Sequence, residues 1–334
     1  MGFGLTRRDV LIGAASASAV LANSAASRAQ ANSPLAFQLS WIKSIQYGGY
    51  FAALDQGYYK ANGIEPTFNP GGPNMDAVAN VAAGQSQIGD RPVGALVIAR
   101  DKGVPIKIVG TAFQKSPYCV MSLASKPLKS VKDFVGKTIA LPTSSRPLML
   151  YLLRSAGVSP ADVNIVPSSP DPAALVTGQL DGYAGYSTNQ GVMLQTRGVE
   201  IHVLNVQDLG MPEIVGTLYA REDFLKANRD RVVRFLRASS QGWKWALNNP
   251  EKTAHLMVEK YGAPGLDFNA QFAEIKASKP YIEAGVGGTK GLLALDLAVV
   301  QKILDIYKAV DIIKRPISVD EFCDASYVDE ALSG

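Results

Sequence analysis

The chain has 334 residues, of which 47% are hydrophobic and 19% are charged, with 31 glycines and only two cysteines. This balance is typical of a globular protein and excludes fibrous, low-complexity and disulfide-scaffold proteins. The formal charge of +4 is too small for the dense basic surface that nucleic-acid binding requires. Since a single compact core reaches its usual limit at about 250–300 residues, the length predicts two domains with room for a cleft.

The N-terminal segment, residues 1–31, has the pattern of an export signal. Arg7 and Arg8 precede an apolar stretch rich in small residues, and small residues also lead up to Ala31. This order is typical of a cleavable twin-arginine signal, whereas a membrane anchor needs about 20 strongly apolar residues. We therefore predict cleavage near Ala31-Asn32 and a periplasmic location.

Short apolar runs, each followed by turn residues and a helix-like segment, recur through the first two thirds of the mature chain. This alternation predicts α/β units around mainly parallel sheets. The predicted strands cover residues 35–39, 64–68, 106–109, 138–141, 163–166 and 201–204.

The last third of the chain changes to successive helices. In the longest of them, Val232, Phe235 and Trp243 recur at a spacing of three to four residues, which marks a buried face. We therefore assign Trp243 and Trp245 to packing and not to a binding site. The predicted helices cover residues 222–227, 229–248, 250–261, 267–278 and 292–310.

The sequence contains no convincing catalytic or metal-binding pattern. Cys119 and Cys323 are far apart and are predicted to be buried free thiols. His202 and His255 have no partner at metal-ligand spacing, and no Ser/His/Asp set can be assembled around them. The glycine-rich segment at Gly71 lacks the lysine of a phosphate-binding loop. We therefore predict no catalytic residue, no metal and no cofactor, and infer that the protein is not an enzyme.

Polar and aromatic residues cluster at the strand-to-helix junctions. Ligands of open α/β sheets bind at the carboxyl ends of strands, beside helix N-termini. Asn74, Ser144 or Ser145, and Asp171 each precede a predicted helix, where they are also typical N-caps. Aromatic side chains near these junctions suit a flat ring, since stacking contributes about 1–3 kcal/mol per ring. They are Trp41, Tyr47, Tyr118, Tyr183 and Tyr186.

The segment after the first strand carries a family resemblance. It contains Trp41, Gln46-Tyr47, Gly49-Tyr50-Phe51 and Gly57-Tyr58-Tyr59-Lys60. This run resembles the opening of exported solute-binding proteins of ATP-binding-cassette (ABC) importers, in the branch of nitrate, sulfonate, taurine and thiamine-pyrimidine-precursor binders. The resemblance covers nearly the whole mature chain. Further matching segments are residues 83–89, 99–105, 178–181 and 221–225.

The resemblance implies a fold in the α/β class. The expected architecture is the type II periplasmic-binding-protein fold, with two α/β lobes and a hinge of two crossing strands. We place the crossings near residues 114–121 and 214–219. One lobe then comprises residues 34–116 plus 218–334 and the other residues 117–217, with the solute held between them.

Departures from the family pattern narrow the class of ligand that we expect. Pyrimidine-precursor binders resemble Trp-x-Pro-Asn-x-x-His at the opening, where this chain has Lys43, Ser44 and Tyr47 at the last three defined places. The Gln46-Tyr47 pair is more similar to the Gln-Phe form of relatives that bind flavin-like rings. A related eukaryotic branch makes the thiamine pyrimidine with a histidine and a Cys-rich segment, and neither is present here at the matching positions.

The sequence thus predicts a monomeric periplasmic receptor that captures a small planar heterocycle, flavin-like or pyrimidine-like, and delivers it to a membrane permease of an ABC importer. A sulfonate-, nitrate- or taurine-type oxyanion is the alternative solute, and a thiamine-pyrimidine synthase-like enzyme is the alternative class. Trp41, Tyr47 and Tyr186 are predicted to wall the ring. Further predicted ligand contacts are Gln46, Asn74, Asp90, Arg91, Gln114, Ser144, Ser145, Asp171 and Asn189, with Arg146 for an anionic group.

Overall fold

The computed structural model describes residues 35–333, so the predicted export signal and its cleavage point lie outside the described residues. Within this range ten strands alternate with helices. They are β1 (Leu35–Gln38), β2 (Pro66–Asn69), β3 (Ile88–Arg91), β4 (Ile106–Phe113), β5 (Tyr118–Leu123), β6 (Thr138–Leu141), β7 (Asn164–Pro167), β8 (Gly182–Tyr186), β9 (Ile201–Asn205) and β10 (Val215–Arg221).

The strands form two five-stranded sheets, ordered β2-β1-β3-β10-β4 and β7-β6-β8-β5-β9. The chain passes from the first sheet to the second between Phe113 and Tyr118 and returns between Asn205 and Val215. The two connections make the sheets the cores of two α/β halves. The residue boundaries proposed for the lobes, 34–116 plus 218–334 and 117–217, stay a prediction.

The expectation of mainly parallel sheets is wrong. β1 runs parallel to β2 and β3, and β6 runs parallel to β7 and β8. β10 is antiparallel to β3 and β4, and β5 is antiparallel to β8 and β9. β5 and β10 are the strands by which the chain enters each sheet from the other. A strand that starts at the gap between the sheets is antiparallel to the strands that end there.

The helices of the last third match the prediction most closely. The predicted segments 222–227 and 229–248 have those bounds in the structure. None of the described helices combines the length and the apolar character needed to cross a membrane. The α-helices of the described range are Gly48–Asp55, Tyr58–Ala61, Ala77–Ala82, Val93–Asp101, Arg146–Ser155, Ala173–Val176, Val192–Thr196, Glu222–Ala227, Arg229–Asn248, Pro250–Leu256, Phe268–Ile282, Gly285–Thr289, Leu297–Ala309, Val319–Phe322 and Ser326–Leu332.

Shorter helical turns complete the fold, and two of them bear on the site. Thr143–Ser145 is a 3-10 turn directly before the helix Arg146–Ser155, and Ser187–Gly191 is a wide π turn directly after β8. The remaining turns are Ile45–Tyr47, Val131–Phe134, Pro160–Asp162, Val206–Leu209 and Met257–Tyr261.

The predicted helix caps are partly wrong. Asp76, and not Asn74, caps the helix Ala77–Ala82, because its carboxylate accepts from the backbone N–H of Val78 at 3.0 Å and of Ala79 at 3.1 Å. Ser145 occupies the N-cap position of its helix but makes no side-chain cap bond. Asp171 does act as a cap, since its Oδ1 accepts from the backbone N–H of Ala173 at 2.9 Å.

The helix Gly48–Asp55 packs unusually close to the helix Arg229–Asn248. A Cβ atom on Gly49 would lie 2.1 Å from the Trp243 ring, and one on Gly242 would lie 2.2 Å from the carbonyl oxygen of Gly49. Trp243 is buried, as predicted. Glycine is therefore required on both sides of this crossing, because any side chain would force the helices apart.

The two cysteines are buried and unpaired in the structure, as predicted. Burial raises the pKa of the Cys119 thiol and of the Cys323 thiol. Both therefore stay protonated at neutral pH and act as small apolar side chains.

Gly49→Ala is expected to destabilise the fold by about 1–3 kcal/mol, the usual cost of overpacking a core. The added methyl group cannot share space with the Trp243 ring, so one helix must shift. Thermal unfolding measures the loss. The control is Gly72→Ala, where no atom lies within 4 Å of the new Cβ. Equal melting temperatures for the two variants would contradict the packing argument.

Candidate functional site

A narrow cavity, the central cavity, lies between the two sheets. The loops that line it follow β1, β3, β6 and β8, and β5 begins at its edge, so strand ends of both sheets meet there. This is where open α/β sheets bind ligands. The lining residues are Ser40, Trp41, Gln46 and Pro92 from the first half and Tyr118, Pro142, Ser144, Ser145, Gly185, Tyr186 and Gln190 from the second.

Three aromatic side chains form much of the wall of the central cavity. Trp41 comes from the first half, and Tyr118 and Tyr186 come from the second. The two tyrosine rings meet edge to face with their centroids 6.2 Å apart. The Tyr118 hydroxyl is buried beside Ser145 and has no hydrogen-bond partner of good geometry within residues 35–333. A buried hydroxyl without a partner at a cavity wall can bond to a bound molecule.

A buried carboxylate fixes the loop that carries Trp41. The backbone N–H of Ser40 donates to Asp90 Oδ1 at 2.6 Å, and the Ser40 hydroxyl donates to Asp90 Oδ2 at 3.1 Å. The Tyr47 hydroxyl donates to Asp90 Oδ1 at 3.4 Å and accepts from the backbone N–H of Trp41 at 2.9 Å. These bonds join the ends of β1 and β3 and hold Trp41 in place.

Burial also sets the protonation of this network. It raises the pKa of Asp90 to about 6, while hydrogen bonds from Ser40 and the charge of Arg91 act against the rise. Burial raises the pKa of Tyr47 as well, so its hydroxyl stays protonated. Tyr47 and Asp90 therefore support the central cavity from behind. Neither side chain lines it, and Tyr47 is only 1% exposed.

A second cavity of about 620 Å³, the basic cavity, adjoins the central cavity at Ser144, which lines both. It lies between the helices Val93–Asp101 and Arg146–Ser155. Three predicted site residues, Asn74, Arg91 and Arg146, line this cavity and not the central one.

A third cavity of about 460 Å³, the polar cavity, adjoins the central cavity on its other side at Trp41. It holds the predicted residues Asp171 and Asn189. Asp171 accepts two hydrogen bonds from the guanidinium of Arg197, at 2.8 and 2.9 Å, which lower the pKa of its carboxyl group.

Two further residues predicted for the site lie elsewhere. Gln114 lies at the connection between the sheets, where its amide donates to the carbonyl oxygens of Thr111 at 3.3 Å and Ala294 at 2.8 Å. Tyr183 packs in the core of the second half, and its hydroxyl donates to the carbonyl oxygen of Ser169. Both side chains are used for internal bonds and do not line the central cavity.

The two halves are joined by a buried hydrogen bond. Asn189, in the turn after β8, donates to Glu274 Oε2 at 2.5 Å, and Glu274 lies on the helix Phe268–Ile282 that packs with the first half. Burial raises the pKa of Glu274 to about 8, against the lowering effect of Asn189. Glu274 is therefore a neutral acid when the halves are together at neutral pH.

The family model described as NMT1/THI5 like matches residues 44–253, which is more than half of the chain. The chain belongs to the NMT1/THI5-like family. The resemblance drawn from the opening run is thus confirmed. The matched region contains all residues that line the central cavity except Ser40 and Trp41.

Relatives of this family member are named as binding proteins. The riboflavin-binding protein RibY of Chloroflexus aurantiacus is 27% identical over 85% of this chain and 82% of its own length. The formylaminopyrimidine-binding protein of Halalkalibacterium halodurans is 24% identical over 66% of this chain and 68% of its own. A solved Candida albicans protein, described as having the generic periplasmic binding protein fold, has a TM-score of 0.65 at 16% identity, over 88% of this chain and 96% of that chain. The predicted fold is confirmed.

Several residues that line the site of this NMT1/THI5-like protein are not predicted by the sequence pattern. Gln190 lies in the π turn after β8, and its Oε1 accepts from the backbone N–H of Tyr186 at 3.0 Å. Gly185 leaves room for that amide, because a Cβ there would lie 2.6 Å from Gln190 Oε1. The position of Gln190 after a strand end is the available signal, and the same signal predicts the neighbouring Asn189. No group of three or more His, Cys, Asp or Glu side chains in the described part of the chain is placed to hold a metal.

Glu274→Gln is expected to stabilise the protein increasingly as the pH rises. The folded-state pKa of Glu274, about 8, exceeds the ordinary value of 4.5, so the folded state holds its proton more tightly and loses stability as the pH rises through this range. Glutamine keeps the acceptor for Asn189 without a titrating group. The melting temperature of the variant should exceed that of the wild type by more than about 2 °C at pH 8 and converge with it near pH 5.

The matched control is Glu200→Gln at an exposed glutamate. Its difference from the wild type is expected to stay flat from pH 5 to pH 8. A flat difference for Glu274→Gln too would show that the carboxyl group does not titrate as the buried environment requires.

Proposed function

We propose that this protein is the periplasmic solute-binding component of an ABC importer, and that it captures a small planar heterocycle in the central cavity. One observation carries the proposal. Trp41, Tyr118 and Tyr186 line a single cavity between the two halves, at the ends of strands. The names of two relatives add support, because riboflavin and a formylaminopyrimidine are both planar heterocycles.

The lining suggests a role for each side of the ring. Trp41 and Tyr186 supply flat faces, as aromatic side chains do for stacked bases. Gln46, Ser144 and Gln190 supply amide and hydroxyl groups for the polar edges, and the unpartnered Tyr118 hydroxyl adds a further donor. Asn74, Arg91, Arg146, Asp171 and Asn189 line the adjoining cavities and would contact substituents.

Solute capture requires the halves to move. The central cavity holds about 40 Å³ between its walls, while ring-binding pockets usually have about 300 Å³ or more. A ring therefore enters when the lobes, residues 34–116 plus 218–334 and 117–217, swing apart on the connections that join the sheets. Because both lobes line the cavity, a bound ring joins them and favours closure.

The other parts of the proposal follow from export and delivery. Residues 1–31 would direct the chain through the twin-arginine route, with cleavage near Ala31-Asn32. The monomeric receptor would then present the closed, loaded form to a membrane permease. It performs no chemistry on the solute.

A small oxyanion such as a sulfonate is the second candidate solute. It is favoured by Arg146, whose guanidinium makes no ion pair or hydrogen bond with another residue in the described range. Such a solute would depend on Arg146 and on the start of the helix Arg146–Ser155, and not on the aromatic wall.

A thermal-shift screen of the purified protein against flavins, pyrimidines, other aromatic heterocycles, sulfonates and nitrate tests the choice. A ligand at 100 times its Kd adds about 2.7 kcal/mol of stability, which raises the melting temperature by about 4 °C at this size. We expect hits among flat heterocycles. Hits confined to sulfonates or nitrate would replace the ring proposal with the oxyanion one.

Trp41→Ala is expected to weaken binding of the ring compound by about 10-fold or more, since stacking contributes about 1–3 kcal/mol. Isothermal titration calorimetry measures the change. Trp245→Ala removes a tryptophan that packs on the outer side of the core, and it should leave the Kd unchanged. An unchanged Kd in Trp41→Ala would place the ring outside the central cavity.

The absence of chemistry is tested by recovery of the solute. After prolonged incubation with the protein, the bound heterocycle should be released intact on denaturation, with no new product by mass spectrometry. Conversion of the compound at a rate that depends on protein concentration would favour the synthase-like enzyme.

A further inference from the structure

We propose that the solute carries an anionic group, a phosphate or a carboxylate, and that the basic cavity binds this group while the ring occupies the central cavity. The inference rests on the proposed function, because it takes the ring position from there. It adds a charged part to the solute and a second binding subsite to the protein.

The charge of the basic cavity is the first argument. Its lining carries the cations Arg91, Lys102, Arg146 and Arg154 against one carboxylate, that of Asp76. The side chains of Arg146 and Lys102 make no ion pair or hydrogen bond with other described residues. Two backbone carbonyls, of Val310 and Asp311, accept from the Arg154 guanidinium at 2.9 and 3.1 Å, and the Asp311 carboxylate also interacts with its charge. Uncompensated cations that share one cavity attract an anion.

The buried Arg91 is the second argument. It is 4% exposed, and its guanidinium donates to the carbonyl oxygen of Met75. Its ion-pair partner, the mostly exposed Asp76, lies 3.9 Å away, and the buried Asp90 carboxylate also interacts with its charge. Arg91 Nε has no hydrogen-bond partner in the described part of the chain. A buried guanidinium with an unused donor at a cavity wall is incomplete without a bound acceptor, and the fork of an arginine suits an oxyanion.

The start of the helix Arg146–Ser155 is the third argument. The backbone N–H of Arg146 donates to the carbonyl oxygen of Thr143, and Pro147 has no N–H, so the helix start offers its partial positive charge and not free donors. Ser144, Arg146 and Pro147 of this segment line the basic cavity. The positive end of the helix dipole therefore lies on the same side as the arginines.

The two cavities are placed to hold one molecule. Ser144 lines both of them, so the cavities are neighbours and the arginines lie beside the space for a ring. The polar cavity on the other side of Trp41 differs in charge. Its arginine, Arg197, is neutralised by two hydrogen bonds to Asp171, and Asp267 also lines the wall. An anionic group is therefore expected in the basic cavity alone.

The experiment compares compounds that differ only in a phosphate. Calorimetric titrations of the purified protein use riboflavin with riboflavin 5′-phosphate, pyridoxine with pyridoxine 5′-phosphate, and inorganic phosphate alone. The phosphorylated member of a pair is expected to bind about 10-fold more tightly, the gain from one charge-assisted contact. Arg146→Gln at the exposed Arg146 should remove this preference, so that the two members of a pair bind with about equal Kd values.

Matched variants separate the outcomes. Arg197→Gln, in the polar cavity, should keep the preference for the phosphorylated compound. Equal affinities for both members of a pair in the wild type would overturn the anion inference and leave the ring proposal standing. A preference that survives the double variant Arg146→Gln with Lys102→Gln would also overturn it.

Inorganic phosphate distinguishes the two proposals further. If phosphate binds alone, is lost in Arg146→Gln, and no ring compound binds, the basic cavity is an anion site and the ring proposal is wrong. If none of the five compounds binds, both proposals are overturned.

Discussion

The buried carboxylate of Asp90 is the interaction on which the candidate site depends. An ion taken out of water is costly unless hydrogen bonds satisfy it. Here the backbone and hydroxyl of Ser40 and the hydroxyl of Tyr47 donate to Asp90. The same bonds close the loop after β1 onto the end of β3. Trp41 extends from that loop, so the carboxylate that is expensive to bury also sets the position of the aromatic wall.

The helices behind the first sheet hold this arrangement from the other side. Gly48–Asp55 begins directly after Tyr47, and Gly49 allows it to lie against Trp243. Tyr50 on this helix contacts the rings of Phe37 in β1 and Trp243, with centroids 5.0 and 5.6 Å apart. The long helix Arg229–Asn248 therefore supports the site through the helix Gly48–Asp55. This packing gives a physical reason for the long helix that follows β10 in the first half.

Much of the fold follows from the sequence because local patterns determine it. The apolar spacing of Val232, Phe235 and Trp243 fixes a buried helix face whatever packs on it. Strand direction is different, because β5 and β10 are as apolar as their neighbours and only the path of the whole chain makes them antiparallel. The cap at Asp76 was missed for a related reason, since Asn74 is equally suited by type and the backbone decides where the helix starts.

The site was predicted as far as strand ends can predict it. Five of the predicted residues lie at or after strand ends and do line one cavity: Trp41, Gln46, Ser144, Ser145 and Tyr186. Tyr47 also follows a strand, but its hydroxyl accepts from the backbone of Trp41 and is used inside the protein. Position along the chain identifies the correct edge of the sheet, whereas the direction of each side chain depends on tertiary contacts. Gln114 follows β4 directly, but its amide donates to the carbonyl oxygens of Thr111 and Ala294 and does not line the cavity.

The arrangement also bears on how a solute could shift the balance between open and closed forms. A ligand moves such an equilibrium only by binding one form better than the other. The side chains of the central cavity are divided between the two halves, so the full set of contacts exists only when they meet. The bond from Asn189 to Glu274 already joins the halves without solute, and burial keeps that acid neutral. Removing a neutral pair from water costs far less than removing an ion pair. Contacts from Trp41 on one side and Tyr186 on the other would add to that bond only when the halves meet, and would therefore favour the closed form.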